Sequence, residues 1–308
     1  MGRPDAVLRA QILEEHQSAS LEAAKAGKPT PSTAEIAKRV GVTKDAAQKI
    51  IRRYGDFVDV DSPEAAAKIK LPDPLITEND TRVIVADVHV PAVDWDLAEF
   101  ILETGRKQKI KELDLVGDLF CQDMFSRHPK IVLGPSFRDE RGEAKRIISY
   151  WLQHFQVIRF CRGNHDERVI NAMDAQITME ELRDLIAPDG KRHRILPSVH
   201  TKMYVNSPHS GMWCLMHQRE YSKFPLRVAC DYATELQMNV ICCHQHHNAI
   251  GSFKGFTVAD CGCLADAKQT AYVELGVSRL PPWQPGFLVM KQGRLIPYNK
   301  HGHYGLEG

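Results

Sequence analysis

The chain has 308 residues, enough for one large catalytic domain plus a small extra module. It is 43% hydrophobic, 26% charged and 7% aromatic, with a net charge of +1, and no apolar run approaches the ~20 residues a membrane-spanning helix needs. Those values exclude a low-complexity chain and a membrane-spanning one, and Met1 to Asp5 lacks the charged-then-apolar pattern of a secretory segment, so a cytoplasmic protein is expected.

Residues 1–55 read as a small helical module. Ala6 to Ala26 is rich in Ala, Leu and Glu and ends at Gly27 and Pro29. Ser32 with Glu35 three residues on fits a capping box opening a helix that carries Ile36, Ala37 and Val40 on one face. Gly41 breaks it, and Thr43 caps a second helix with Ala46, Ala47, Ile50 and Ile51. This is a helix-turn-helix pattern, and it resembles small winged or resolvase-type modules. Lys44, Gln48, Lys49, Arg52 and Arg53 would face DNA, the first near base edges and the last along phosphates. Ten basic against six acidic residues in this stretch agree with a polyanion partner. A protein-contact module or a structural cap is the competing reading, and it leaves a homo-oligomer open.

Residues 56–80, with Asp56, Asp59, Asp61, Ser62-Pro63, Pro72 and Pro74, read as a linker holding one short helix near residues 64–70. From residue 81 to 308 short apolar strands alternate with helical stretches, an α/β pattern. Strands are predicted at Val83 to Ala86, Leu113 to Val116, Gln156 to Cys161, Met212 to Met216 and Val240 to Cys243, and helices at Asp94 to Gln108 and Gly142 to His154. The turn-rich stretch from Leu280 to Gly286 precedes a strand at Phe287 to Lys291, expected to complete a second sheet. Most of the eight cysteines sit inside apolar runs and are expected to be reduced and buried. Cys261-Gly262-Cys263 has no second cysteine pair to complete a zinc site.

Five of these strands run directly into side chains that bind metals. The first leads to Asp87-Val88-His89, the second to Gly117-Asp118, the third to Gly163-Asn164-His165-Asp166, the fourth to His217 and the fifth to His244-Gln245-His246. Ligands of α/β sheets gather at the carboxyl ends of strands, so all five sets are expected at one edge. A carboxylate can bridge two cations where a neutral imidazole cannot. The mixed nitrogen and oxygen donors suit divalent manganese, iron, zinc or nickel better than calcium.

This order of motifs, over residues 82–265, resembles the calcineurin-like metallophosphoesterases. The resemblance implies a two-sheet α/β/β/α sandwich behind the helix-turn-helix. It implies that Asp87, His89 and His246 hold one metal, that Asn164, His217 and His244 hold the other, and that Asp118 bridges them. A hydroxide held between the metals would attack phosphorus in line. His165 would hydrogen-bond the phosphate or protonate the leaving oxygen, with Asp166 steering its ring. Gln218 and Cys243 stand where the family often has glycine. Asp118 lacks the Val-Asp-Arg-Gly continuation of the phosphoprotein phosphatases. Asp123, Arg127 and His128 follow the bridging Asp and either touch substrate or form a surface loop, and His247 should point away from the metals. The expected activity is hydrolysis of phosphate esters, with DNA phosphodiesters as the nuclease-type substrate suggested by the basic module. A phosphomonoesterase or small-molecule phosphodiesterase with a docking module, and a DNA-binding regulator, are the alternatives.

Overall fold

The computed structural model describes residues 12, 15, 19, 31–48, 73–126, 134–173, 176–269, 283–299 and 302–303. Two compact units are present, Met1–Leu71 and Pro72–Gly308.

In the first unit the capping box is formed as expected. The Ser32 hydroxyl accepts from the Glu35 amide, and the Glu35 carboxylate accepts from the Ser32 amide, opening the helix Thr33–Val40. Gly41 ends it with φ +75, a conformation that a Cβ would strain. Residues 44–48 are helical, and the Thr43 hydroxyl accepts from the Ala46 amide at 3.3 Å. Ile36, Ala37 and Ala47 are buried with Ile12 and Ala19, and Val40 and Val42 pack against them. Lys44, Asp45 and Gln48 are exposed. Lys49, Arg52 and Arg53, like most of Ala6 to Ala26 and the short helix expected near residues 64–70, lie outside the described residues.

The second unit is built from two mixed sheets. The first contains β2 (Arg82–Val85), β3 (Glu112–Val116), β4 (Val157–Cys161) and β5 (Ile195–Ser198), parallel in that order. It is extended antiparallel beside β2 by β11 (Gly286–Lys291), β12 (Arg294–Asn299) and β13 (Gly302–His303). The second sheet runs β1 (Ile76–Thr77), β6 (Lys202–Ser207), β7 (Gly211–Met216), β8 (Asn239–Cys242), β10 (Phe256–Cys261) and β9 (Asn248–Phe253).

Alternation along the strands divides the core into layers. Val83, Val85, Leu113, Leu115, Ile158 and Phe160 face the helices Trp95–Gln108, Phe137–Trp151 and Met179–Ile186. Ile84, Val116, Cys161, Leu288 and Met290 face inward against Met203, Val205, Trp213, Leu215 and Ile241 of the other sheet. The outer face of that sheet is covered by the helix Arg227–Leu236 through Val228, Ala229 and Ala233. The result is the expected helix–sheet–sheet–helix sandwich. Strands buried on both faces need continuous apolar runs, which is why these were legible.

Three expectations are corrected by this arrangement. The Phe287 to Lys291 strand joins β2 in the first sheet, with Leu288 opposite Ile84, and not the second sheet. Its residues Gly286 to Met290 are all buried, so it needs a place covered on both sides. Residues 73–80, read as linker, belong to the sandwich: Ile76 and Thr77 pair with Tyr204 and Val205, and the Ser207 hydroxyl donates to the Asp80 carboxylate at 2.5 Å. The helix expected from Gly142 begins at Phe137, where Ser136 and Asp139 form a reciprocal cap. All eight cysteines are free, and seven are buried. Among the described residues no helix is long and apolar enough to cross a membrane.

Candidate metal centre

The five strand ends converge on one edge of the sandwich. β2, β3 and β4 supply Asp87, His89, Asp118 and Asn164 from the first sheet, and β7 and β8 supply His217, His244 and His246 from the second. The loops after β2 and β3 are tied together: the Val88 and His89 amides donate to the Asp118 carbonyl at 2.9 and 3.1 Å. The Leu264 and Ala265 amides donate to the Asp87 carbonyl, each at 3.1 Å.

Among the described residues three groups of side chains could hold a metal ion: Asp87, His89 and His246; Asp118, His217 and His244; and His89, Cys121 and His165. The first two are triads of strand-end residues. The Nε2 atoms of His89 and His246 are 3.3 Å apart, and that of His246 lies 3.1 Å from Asp87 Oδ1. Asp118, His217 and His244 form the second group, its ligand atoms within 4.8 Å of one another. His217 Nε2 lies 3.1 Å from both Asp118 Oδ2 and Asn164 Oδ1. The His217 Nδ1–H donates to the Val116 carbonyl at 3.0 Å, which turns Nε2 toward the centre. Asp118 Oδ2 is also 3.9 Å from His89 Nε2, so it lies between the triads. It is buried and has no hydrogen-bond partner. A buried carboxylate oxygen left in this state is costly unless a cation completes it, and this donor set fits a pair of divalent cations.

The backbone supports the same conclusion. Asp87, His89, Asp118, His244 and His246 all have left-handed φ between 48 and 72. Such conformations cost side-chain-bearing residues about 1–3 kcal/mol each and persist where surrounding contacts impose them, typically at functional sites. Two glycines allow the close approach. A Cβ on Gly163 would overlap the Asp118 carboxylate and amide, and one on Gly117 would meet the His217 ring at 2.5 Å.

Burial would raise the Asp87 carboxyl, yet the His246 and His217 rings hold it well below the ordinary range. Burial alone would likewise raise Asp118, and His217 and His165 hold it low. Burial would depress His217, but Asp118 and Asp87 raise it to about 10. Burial takes His244 down to about 4. The carboxylates are thus ionised and draw positive charge toward themselves.

His165 and Asp166 enter differently from expectation. Asp166 does not steer the His165 ring. Its carboxylate accepts from the backbone amides of Gly163 (2.8 Å), Asp118 (2.9 Å) and Phe120 (3.2 Å) and so clamps the two loops together. The physical reason is that Asp166 lies just ahead of the helix Glu167–Ala172, above loop amides that would otherwise be unpaired. The ring is oriented instead by the Cys121 carbonyl, which accepts from Nδ1 at 2.8 Å. Burial takes His165 down to about 3.

Gln218 and Cys243, the two positions where the sequence departs from glycine, bind each other. The Gln218 amide donates to the Cys243 carbonyl at 2.7 Å and accepts from its amide at 3.2 Å. Asp123 pairs with Arg168 at 2.7 Å, while Arg127 and His128 lie outside the described residues. His247 is buried 3.6 Å from Asp260.

Two neighbours escaped the sequence reading. The Trp283 ring meets His246 edge-on at 4.2 Å and lies parallel to His89 at 6.2 Å. Glu140, wholly buried, accepts from the Gln122 amide at 2.8 Å, and burial raises its carboxyl to about 8. Neither adjoins a strand-end motif. Only the uninterrupted spacing of Glu140 with Ala144, Ile147 and Trp151 on the buried face of its helix could have found it.

No family model and no curated protein matches the chain. Among solved structures it is similar to a Vps29 variant from Entamoeba histolytica, at 14% identity, covering 70% of this chain and 89% of that one, TM-score 0.39. A hypothetical protein from Pyrococcus horikoshii is 11% identical, with 73% and 88% covered and a TM-score of 0.43. The phosphoesterase YfcE from E. coli is 13% identical, with 70% and 91% covered and a TM-score of 0.38.

Proposed function

We propose that the chain hydrolyses phosphate esters at this edge with two divalent cations, manganese first among the candidates. The observation that carries the reading is Asp118 Oδ2, buried and without a hydrogen-bond partner between two triads of metal-binding side chains. Two bound cations would lower the pKa of a water and neutralise charge developing on phosphoryl oxygens. Asp87, His89 and His246 would hold one, Asn164, His217 and His244 the other, with Asp118 shared. The Val116 carbonyl fixes the His217 ring for this, and Asp166 holds the loops that carry Asp118 and Asn164 in register. His165 Nε2 stands 3.9 Å from Asp118 Oδ2, beside the place a phosphate would take.

For the substrate we propose phosphodiesters of DNA. The support is the first unit: a glycine turn between two helical segments, Lys44 and Gln48 exposed on the second, and a local excess of four positive charges. The test is an assay with added manganese on a chromogenic phosphodiester and on labelled duplex and single-stranded DNA. Hydrolysis that stops on chelation is expected. Lys44→Glu should weaken DNA binding and lower its salt slope by about one, leaving small-ester turnover unchanged. Hydrolysis of no phosphate ester with any of manganese, iron, zinc or nickel sinks the first reading. Small-ester hydrolysis without DNA binding at low salt sinks only the second, in favour of a small-molecule phosphoesterase.

A further inference from the structure

The helix that follows the Gly-Asn-His-Asp motif carries Arg168, whose place in the site no motif predicts. Its Nη1 donates to the Cys121 carbonyl at 2.8 Å and to Asp123 Oδ1 at 2.7 Å. Its Nη2 lies 3.0 Å from His165 Nε2. These contacts settle the protons on His165 without reference to its titration. The Cys121 carbonyl can only accept, so Nδ1 carries the hydrogen. A guanidinium can only donate, so Nε2 presents its lone pair. A phosphoryl oxygen is also an acceptor and gains nothing from that lone pair. The N–H group at this side of the centre belongs to Arg168.

We infer that Arg168 is a substrate-contacting residue, its Nη2 exchanging the His165 ring for a non-bridging phosphoryl oxygen when a phosphate seats at the centre. The inference rests on the phosphoesterase reading above and adds an anion-binding residue to it. Asp123 and the Cys121 carbonyl hold the guanidinium in place, so binding requires little reordering of a long side chain. The displaced Nε2 is then open to receive a proton or a second hydrogen bond. A planar guanidinium matches phosphate geometry in a way that an ammonium does not, so lysine should substitute poorly.

The test uses the full chain loaded with manganese and inorganic phosphate as the probe. Wild type, Arg168→Gln, Arg168→Lys and Arg168→Ala are compared for metal content and for phosphate affinity by titration calorimetry. The expected result is an unchanged metal content with phosphate bound about tenfold to hundredfold more weakly by Arg168→Gln. Arg168→Lys should fall between, and added guanidinium ion should restore part of the affinity of Arg168→Ala, which a merely structural role would not allow. Phosphate affinity within twofold of wild type in Arg168→Gln overturns the assignment and leaves the phosphoesterase reading intact. So does loss of metal from both Arg168→Gln and Arg168→Lys, which would make Arg168 a support of the centre. Wild-type protein that takes up no metal and binds no phosphate overturns both readings.

Discussion

β2, β3 and β4 carry buried charge within the strands and again just beyond their carboxyl ends, and the two groups behave differently. Arg82, at the start of β2, meets Asp114 and Arg159, at the middle of β3 and β4, inside the sandwich. Asp114 accepts from Arg159 through two bonds of 2.7 and 2.6 Å and lies 2.8 Å from Arg82 Nε, while Glu112 pairs with Arg82. The Tyr204 and Asn79 carbonyls accept from the remaining arms. Two cations face two anions. At the carboxyl ends Asp87 and Asp118 face imidazoles, an oxygen of Asp118 has no hydrogen-bond partner, and five ligand residues are held in left-handed backbone. Both clusters are buried and charged. Each holds one atom without a hydrogen bond of regular geometry, Arg82 Nε in the first and Asp118 Oδ2 in the second. The first matches its carboxylates with permanently charged guanidinium groups, whereas the second faces its carboxylates with imidazoles, which are also metal ligands.

Substituting the matching aspartates should break the comparison most sharply. Asp118→Asn is expected to abolish hydrolysis and reduce bound metal below two ions per chain by elemental analysis. Metal-free Asp118→Asn should lose less stability than Asp114→Asn, because the imidazoles facing Asp118 can shed their protons whereas the two guanidinium groups facing Asp114 cannot. Asp114→Asn is expected to keep both metals and lose about 3–5 kcal/mol of stability in urea unfolding, because it leaves two buried guanidinium groups short of an anion. Equal stability losses at the two sites would erase the distinction.

A smaller effect is expected from Gly163→Ala. The added methyl must displace the Asp118 carboxylate by a fraction of an ångström or more, and misplacement of about 1 Å can cost about a hundredfold in rate. The expected outcome is reduced turnover with little change in secondary structure by circular dichroism. Unaltered turnover would mean that Asp118 is not held as tightly as the loop contacts suggest.

The smallest effect concerns Glu140, whose carboxyl is raised by burial to about 8. An acid with a raised folded pKa holds its proton longer in the folded state than in the unfolded one. The contribution of Glu140 to stability is therefore expected to fall as pH rises from about 4.5 to about 8. Glu140→Gln cannot lose a proton and should gain on wild type across that window. Urea midpoints at pH 5 and pH 8 measure it, and a difference that stays constant between them would show that Glu140 does not carry this penalty.

Much of this protein is legible in its amino-acid sequence. Continuous apolar runs marked the doubly covered strands, the Ser32 to Glu35 pattern marked a helix start, and the residues following five strands named the members of both triads. These are local signals, set by strand burial, capping geometry and donor chemistry along the chain. The sequence did not say that Phe287 to Lys291 returns beside β2, that residues 73–80 join the sandwich, or that Gln218 and Cys243 bind each other. It also misassigned the support of His165, which comes from the Cys121 carbonyl and Arg168 and not from Asp166. Each of these depends on which backbone groups lie opposite one another once two sheets have packed, over separations of up to about two hundred residues. The list of candidate ligands is a property of the chain, but the placing of an Asp118 oxygen between two such groups exists only in the folded edge where those strand ends meet.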